Sequence, residues 1–113
     1  MRNAVLLAAA VAAMPSLAVA EETALAAAPA TVEIRDMHFE PAELTISAGT
    51  TVTWHNEDKS PHTVTDRGRV FRSSALDTGD GFSYTFAAPG EFSYFCTLHP
   101  MMVGKIVVKP AGS

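Results

Sequence analysis

The sequence predicts an all-β fold, a sandwich or barrel of antiparallel strands. Apolar and polar residues alternate with a period of two in most segments between residues 31 and 110. Gly, Pro, Asn and Asp cluster between these segments, and no segment has the 3.6-residue period of an amphipathic helix. Half-buried strands alternate in this way, and Gly and Pro favour turns, so the pattern predicts short strands joined by tight loops.

Six segments carry the strand pattern. In chain order they are residues 32–35, 44–47, 51–54, 82–86 and 91–96, which alternate, and 106–108, a short continuous apolar run. In the fifth segment Phe92, Tyr94 and Cys96 share one parity, while the residues between them share the other. Side chains of one parity lie on one face of a strand, so we expect Cys96 to point inward where this strand ends.

The amino terminus has the pattern of a cleavable signal peptide. A basic start containing Arg2 precedes an uncharged apolar run at residues 4–13, and residues 18–20 have the small-x-small form of a cleavage site. The run is too short for a membrane span, so we expect no membrane anchor. We therefore predict a signal peptide at residues 1–20, a flexible Ala-rich leader at 21–30 and one domain at 31–110, exported to the periplasm.

The charge of the mature chain limits its partners. Removal of Arg2 with the signal peptide leaves seven basic residues against twelve acidic ones, a net charge of −5. A nucleic-acid partner requires a basic face, so we exclude that class. We expect a monomer whose acidic surface steers a basic protein partner.

Cys96 is the only cysteine, and its neighbours decide between two roles. A lone thiol in an exported protein is either an inert core residue or a metal ligand. His99 and Met102 follow Cys96 at intervals of three residues, and His62 lies 34 positions before it. One thiolate, two imidazoles and a thioether are the ligands of a type 1, or blue-copper, site. Structural zinc usually has more cysteines, and calcium and magnesium prefer oxygen ligands.

Several motifs of the chain resemble those of the cupredoxins, most closely the amicyanin type. They are Thr51-Val52-Thr53-Trp54 with Asn56, Pro61-His62-Thr63-Val64, Pro89-Gly90-Glu91-Phe92-Ser93-Tyr94, Cys96-Thr97-Leu98-His99-Pro100-Met101-Met102 and Gly104-Lys105-Ile106-Val107-Val108. The resemblance implies a Greek-key β-sandwich or barrel of about seven to eight strands.

The resemblance also implies a role for each site residue. His62, Cys96 and His99 correspond to the equatorial copper ligands, and Met102 to the axial ligand, with Met101 as its competitor. Asn56 corresponds to a residue that ties the His62 loop to the ligand loop through Thr97. The electron would pass through the exposed edge of His99, inside an apolar collar of Pro61, Leu98, Pro100 and Met101 that Met37 or Phe39 would extend. His38 and His55 match no motif position, and we expect them at the surface.

The function implied is electron transfer without catalysis. The resemblance suggests one copper per chain and single-electron transfer between a periplasmic dehydrogenase, such as methylamine dehydrogenase, and a c-type cytochrome or other redox protein. A periplasmic copper-binding or delivery protein is the alternative. Two departures from the amicyanin pattern concern the partner-facing surface: Leu98 stands where Pro is usual, and the stretch between His62 and Cys96 is shorter.

Overall fold

The computed structural model describes residues 28–112, which form two four-stranded β-sheets. The first sheet has the order β2-β1-β4-β6 and the second β3-β8-β7-β5. The strands are β1 (Ala30–Arg35), β2 (His38–Glu40), β3 (Glu43–Ser47), β4 (Thr50–Asn56), β5 (Thr65–Asp66), β6 (Gly81–Phe86), β7 (Gly90–Phe95) and β8 (Val103–Lys109). The predicted all-β class is confirmed. Within the described residues, no helix long and apolar enough to cross a membrane is found.

The predicted amino-terminal segments are only partly covered by the structure. The predicted signal peptide, residues 1–20, and residues 21–27 of the predicted leader lie outside the described residues. Ala30, the last residue of the predicted leader, already belongs to β1 and pairs with Val52. The first strand therefore begins one residue before the predicted domain boundary.

Both sheets are mixed, which corrects the prediction of purely antiparallel strands. β1 runs parallel to β4, and β3 runs parallel to β8. The remaining strand pairs are antiparallel. Parallel neighbours cannot be joined by a hairpin, and here the chain passes to the other sheet as β3 before it returns as β4. Alternation shows which face of a strand is buried but carries no information on strand direction. The sequence pattern therefore could not predict the two parallel pairs.

An aromatic cluster fills the space between the sheets. Trp54 on β4 is fully buried; its ring centroid lies 5.4 Å from that of Tyr94 and 5.6 Å from that of Phe71. Burial raises the pKa of the Tyr94 hydroxyl to about 12. The Tyr94 ring lies against β8 at Gly104, where any side chain would overlap it. This packing fixes the end of β7, from which the chain enters residues 96–102.

Candidate metal centre

Two loops bring three predicted ligands together at one end of the sandwich. His62 lies in the loop after β4, and Cys96 and His99 lie in the loop after β7. The sulfur of Cys96 is 3.8 Å from Nδ1 of His62 and 3.7 Å from Nδ1 of His99. Cys96 and His62 are fully buried, and His99 is half-buried. The parity prediction that Cys96 points inward and the prediction that His99 lies nearer the surface are both confirmed.

The ligand loop, residues 96–102, is folded by its own backbone. The amide of His99 donates to the carbonyl of Cys96, and the amide of Met102 donates to the carbonyl of His99. These two successive turns each span three residues, so side chains at this spacing lie on the same side of the chain. A third bond, from the amide of Cys96 to the carbonyl of Met102, closes the loop. The interval of three residues seen in the sequence is thus the period of this loop.

His62 is held by both its backbone and its ring. Its amide and carbonyl form a two-way bridge with Leu76, at 3.1 and 2.7 Å. Its Nε2 lies 2.9 Å from Oδ2 of Asp58. A carboxylate can only accept, so Nε2 carries the proton and Nδ1 is left with a lone pair directed at the Cys96 sulfur. The imidazole is therefore set in the tautomer that a metal requires.

Asp58 was not assigned a role from the sequence, yet it joins two loops at this site. Its carboxylate accepts from the amides of Asp36 and Met37, at 2.7 and 2.9 Å, as well as from His62. Burial acts to raise the pKa of Asp58, but the hydrogen bonds from Met37, His62 and Asp36 outweigh it and hold the pKa below its ordinary value of 3.8. The one feature of the sequence that could have indicated this role is the position of Asp58, a carboxylate four residues before the candidate ligand His62.

Thr63 is a second residue without a predicted role. Its amide lies 3.3 Å from the sulfur of Cys96 and donates to it. Its hydroxyl accepts from the amide of Thr97 at 2.8 Å and lies 2.9 Å from the Thr97 hydroxyl. An N–H that donates to sulfur stabilises the thiolate form. Thr63 therefore links the two loops and supports the anionic ligand.

The contact predicted between Asn56 and Thr97 needs correction. The Asn56 amide donates to the carbonyls of Ser60 and Leu76, at 3.0 and 2.8 Å, and its oxygen accepts from the amide of Asp58. Asn56 thus ties the His62 loop to the segment that carries Leu76. The link to Thr97 comes from Thr63 instead, because Asn56 is fully buried at the end of β4 and its donors are already used there.

The donor spacing fits a metal ion. A thiolate sulfur about 2.3 Å and an imidazole nitrogen about 2.0 Å from one ion lie about 3.7 Å apart when the angle between the two bonds is about 120°. The observed separations from the Cys96 sulfur are 3.7 and 3.8 Å. All three donor atoms lie within 4.8 Å of one another. This spacing is that of a trigonal His₂Cys site, and soft sulfur with imidazole suits copper.

The two methionines of the ligand loop differ sharply in burial. Met102 is 6% exposed, and Met101 is 93% exposed. A thioether that ligates a buried ion must itself be buried, so these values favour Met102 as the fourth donor. Met101 instead projects into solvent beside His99.

An apolar surface surrounds the exposed edge of His99. A groove of about 730 Å³ is lined by the predicted collar residues Leu98, Pro100 and Met101. It is also lined by Met37 and Phe39, the predicted extensions, and by Val103, for which the sequence predicted no role. The fourth predicted collar residue, Pro61, is exposed but does not line this groove.

The other two histidines do not belong to the His62, Cys96 and His99 cluster, although His38 lines the apolar groove beside the ligand loop. Nδ1 of His38 donates to the carbonyl of Asp36, and the ring is exposed. Nδ1 of His55 lies 3.4 Å from a carboxylate oxygen of both Glu33 and Glu57. The group Glu33, His55 and Glu57 is a second place in the described chain where donor atoms lie within 4.8 Å, but Glu57 is also paired with Arg35 at 3.3 Å.

Comparison with known proteins identifies the family. The chain matches the cupredoxin-like domain over residues 4–108. It belongs to the cupredoxin family. Amicyanin-alpha of Methylorubrum extorquens is 38% identical to this cupredoxin over 83 residues, covering 69% of this chain and 70% of the relative. Amicyanin of Paracoccus denitrificans is 39% identical over 83 residues, covering 69% of this chain and 63% of the relative's length.

Solved structures agree with the cupredoxin assignment. A purple cupredoxin from Nitrosopumilus maritimus superposes with a TM-score of 0.67 at 33% identity, covering 71% of this chain and 99% of that one. The Cu(I) form of an amicyanin mutant gives a TM-score of 0.67 at 34% identity, covering 72% and 82%. The resemblance to amicyanin-type cupredoxins, predicted from the ligand loop, is confirmed by these relatives.

Proposed function

We propose that this cupredoxin is a periplasmic type 1 copper protein that carries single electrons between a dehydrogenase and a cytochrome. The observation that carries the proposal is the pair of Nδ1 atoms, on His62 and His99, at 3.8 and 3.7 Å from the sulfur of Cys96. The solved amicyanin mutant named as a Cu(I) form supports copper as the ion. Copper bound here would supply one-electron chemistry by alternating between Cu(II) and Cu(I).

The chain's own residues would keep the site rigid during electron transfer. Asp58 fixes the ring of His62, the amide of Thr63 supports the thiolate of Cys96, and three backbone bonds close the ligand loop. Because these contacts hold each loop in shape and join the two loops to each other, a change of charge at the ion would move the ligands little. A small structural change lowers the barrier to electron transfer, which is why a rigid frame suits a carrier.

His99 is the proposed point of entry and exit. Its Nδ1 faces the sulfur, and its ring is half-buried at the edge of the apolar groove. Leu98 and Met101, exposed to 50% and 93%, offer apolar contact around it. A small apolar contact area suits brief docking and fast release, as in transient complexes between redox proteins.

The location and partners belong to the same proposal. The signal-peptide pattern at residues 1–20 supports export, and the match to amicyanins supports a periplasmic dehydrogenase as electron donor. A c-type cytochrome is the acceptor proposed. Copper bound by four protein ligands would have no open position for a substrate, which supports a carrier and not an enzyme.

The test is to load the mature protein with Cu(II) and record its visible spectrum and cyclic voltammogram. We expect an intense thiolate-to-copper band and a reversible one-electron wave, both lost in Cys96→Ala. Ser93→Ala, a neighbouring substitution on β7 outside the site, should retain both and serves as the control. A colourless protein that binds mainly Cu(I) without a reversible wave would favour copper delivery and contradict the proposal.

A further inference from the structure

Three arginines line a cavity that is separate from the apolar groove and also reaches the ligand loop. They belong to the turn at residues 66–72, here called the arginine turn, which follows β5. Arg67, Arg69 and Arg72 line a cavity of about 530 Å³ together with Phe95 and Thr97. Thr97 is the neighbour of Cys96 in the chain, so this cavity begins one residue from the proposed thiolate ligand.

The arginine turn is held in a fixed shape by Asp66. This residue is 3% exposed; its amide donates to the carbonyl of Phe71 and its carbonyl accepts from the amide of Arg69, both at 3.0 Å. Its carboxylate accepts from the amide of Val70 at 2.9 Å. Asp66 is the one carboxylate among the described residues that line the cavity, and its charge is turned toward the backbone of the turn.

The backbone of one arginine is strained, and the side chain of another is ordered by an aromatic ring. Arg69 has a φ of 65°, a left-handed conformation that Gly or Asn adopts with less strain. The guanidinium of Arg67 lies 4.6 Å from the centre of the Phe95 ring, a cation–π contact that orders a long side chain. Ordered cations lose less entropy on binding than free ones.

The charge of the arginine turn is opposite to that of the molecule. Residues 28–112 contain seven Lys and Arg residues, and three of them lie within the arginine turn, residues 66–72. The turn contains one acidic residue, Asp66. None of the three forms an ion pair with a carboxylate in the described part of the chain. Two of the four other basic residues in the described chain are neutralised: Arg35 pairs with Glu57 at 3.3 Å, and Lys105 with Glu91 at 3.1 Å.

We infer that the arginine turn is a docking site for an acidic patch on the redox-partner protein. Guanidinium groups bind carboxylates through paired hydrogen bonds, and three of them beside the ligand loop would orient a partner whose apolar area covers His99. The net charge of −5 expected for the mature chain favours a basic partner at long range, and the arginine turn adds a positively charged contact close to the ligand loop. The inference rests on the proposed electron transfer, because it assigns the partner of that same site.

The binding test uses hexaglutamate peptide as the probe and does not depend on copper. The peptide is titrated into the ¹⁵N-labelled mature protein at low ionic strength, and amide and arginine Nε–H shifts are recorded. We expect saturable shifts confined to the arginine turn, Phe95 and Thr97, which salt removes. The triple variant Arg67→Gln, Arg69→Gln, Arg72→Gln should lose them. The charge-matched control Arg35→Gln, Lys105→Gln, Lys109→Gln should keep them.

Three results would overturn the inference: no saturable shift, shifts that persist in the arginine-turn variant, or an equal loss in the control variant. Either of the first two results would mean that the arginine turn does not bind the peptide. The third would mean that binding depends on net charge alone. Hexalysine, the probe of opposite charge, should leave these resonances unshifted.

A kinetic test separates this inference from the proposed function. The reduced copper protein is mixed with hexacyanoferrate(III), an anion, or with tris(1,10-phenanthroline)cobalt(III), a cation. At low ionic strength the arginine-turn variant should react with the anion about tenfold more slowly than the control variant does, a size typical of electrostatic steering. Equal rates for the two variants would contradict the inference. If neither reagent oxidises the protein, the proposed electron transfer fails, and the peptide titration still decides the docking site.

Discussion

At the scale of single residues, the site depends on side chains that orient the metal ligands without binding the metal. Asp58 sets the proton on Nε2 of His62, and Thr63 donates to the sulfur of Cys96. Neither could be assigned from the sequence, because the partners of a loop carboxylate or a threonine depend on how two distant loops meet. The ligands themselves could be proposed, since their residue types and spacing are specific to one kind of site.

Replacement of Asp58 by Asn should weaken metal binding. An Asn side chain can present its amide group to Nε2 of His62 and no longer fixes the proton there, so we expect copper affinity to fall by about 10- to 100-fold. Affinity is measured by competition with a chelator of known strength. Asp36→Asn, with the same charge change at a neighbouring exposed carboxylate, is the control, and an equal fall in both variants would contradict the role of Asp58.

The adjacent methionines provide a matched test of the fourth ligand. Met102→Leu should shift the reduction potential and the visible spectrum, because the axial ligand tunes both in type 1 sites. Met101→Leu makes the same replacement at the neighbouring side chain, which is 93% exposed. It should leave the reduction potential and the spectrum nearly unchanged. The assignment of Met102 is wrong if Met101→Leu gives the larger shift.

At the scale of elements, the sequence predicted what each strand buries but not how the strands pair. All six predicted strands are present, because five of them alternate with a period of two over four or more residues and the sixth is a continuous apolar run, and both patterns indicate strands. β2 and β5 contain three and two residues and are too short to show any period. The parallel pairs β1/β4 and β3/β8 depend on contacts between distant segments, which no local pattern encodes.

The pairing of β7 with β8 depends on the small size of Gly104. A Cβ at this position would overlap the ring and hydroxyl of Tyr94, which pairs with Gly104 across the sheet. We expect Gly104→Ala to lower the free energy of unfolding by about 1–3 kcal/mol, as overpacking of a core does. Denaturant unfolding measures the loss. Gly81→Ala, whose added Cβ would meet nothing closer than 3.3 Å, should cost less, and the reverse order would contradict this packing.

At the scale of the whole molecule, the two metal-site loops and the turn between β1 and β2 form one connected end. Asp58 joins the His62 loop to this turn through its bonds to Asp36 and Met37. Thr63 joins the His62 loop to the ligand loop. The pKa of Asp58 is lowered in the folded state, so its carboxylate contributes stability that is present above pH 3.8 and lost as pH falls through the folded-state pKa.

This linkage predicts how acid affects the metal-free protein. Asp58→Asn should be less stable than the unsubstituted chain at neutral pH, and the difference should shrink as pH falls below 3.8, where the carboxylate is neutralised. Urea midpoints at several pH values measure the difference. A difference that stays constant from neutral pH to the acid limit would mean that the charge of Asp58 contributes nothing.

The central claim is that the molecule holds one copper ion between two imidazoles and one thiolate. X-ray absorption fine structure at the copper edge of the loaded mature protein tests it most directly. We predict one sulfur and two nitrogen scatterers at bonding distance, with the sulfur lost in Cys96→Ser. A first shell of nitrogen and oxygen alone in the unsubstituted protein, as the group Glu33, His55 and Glu57 would provide, would contradict the claim.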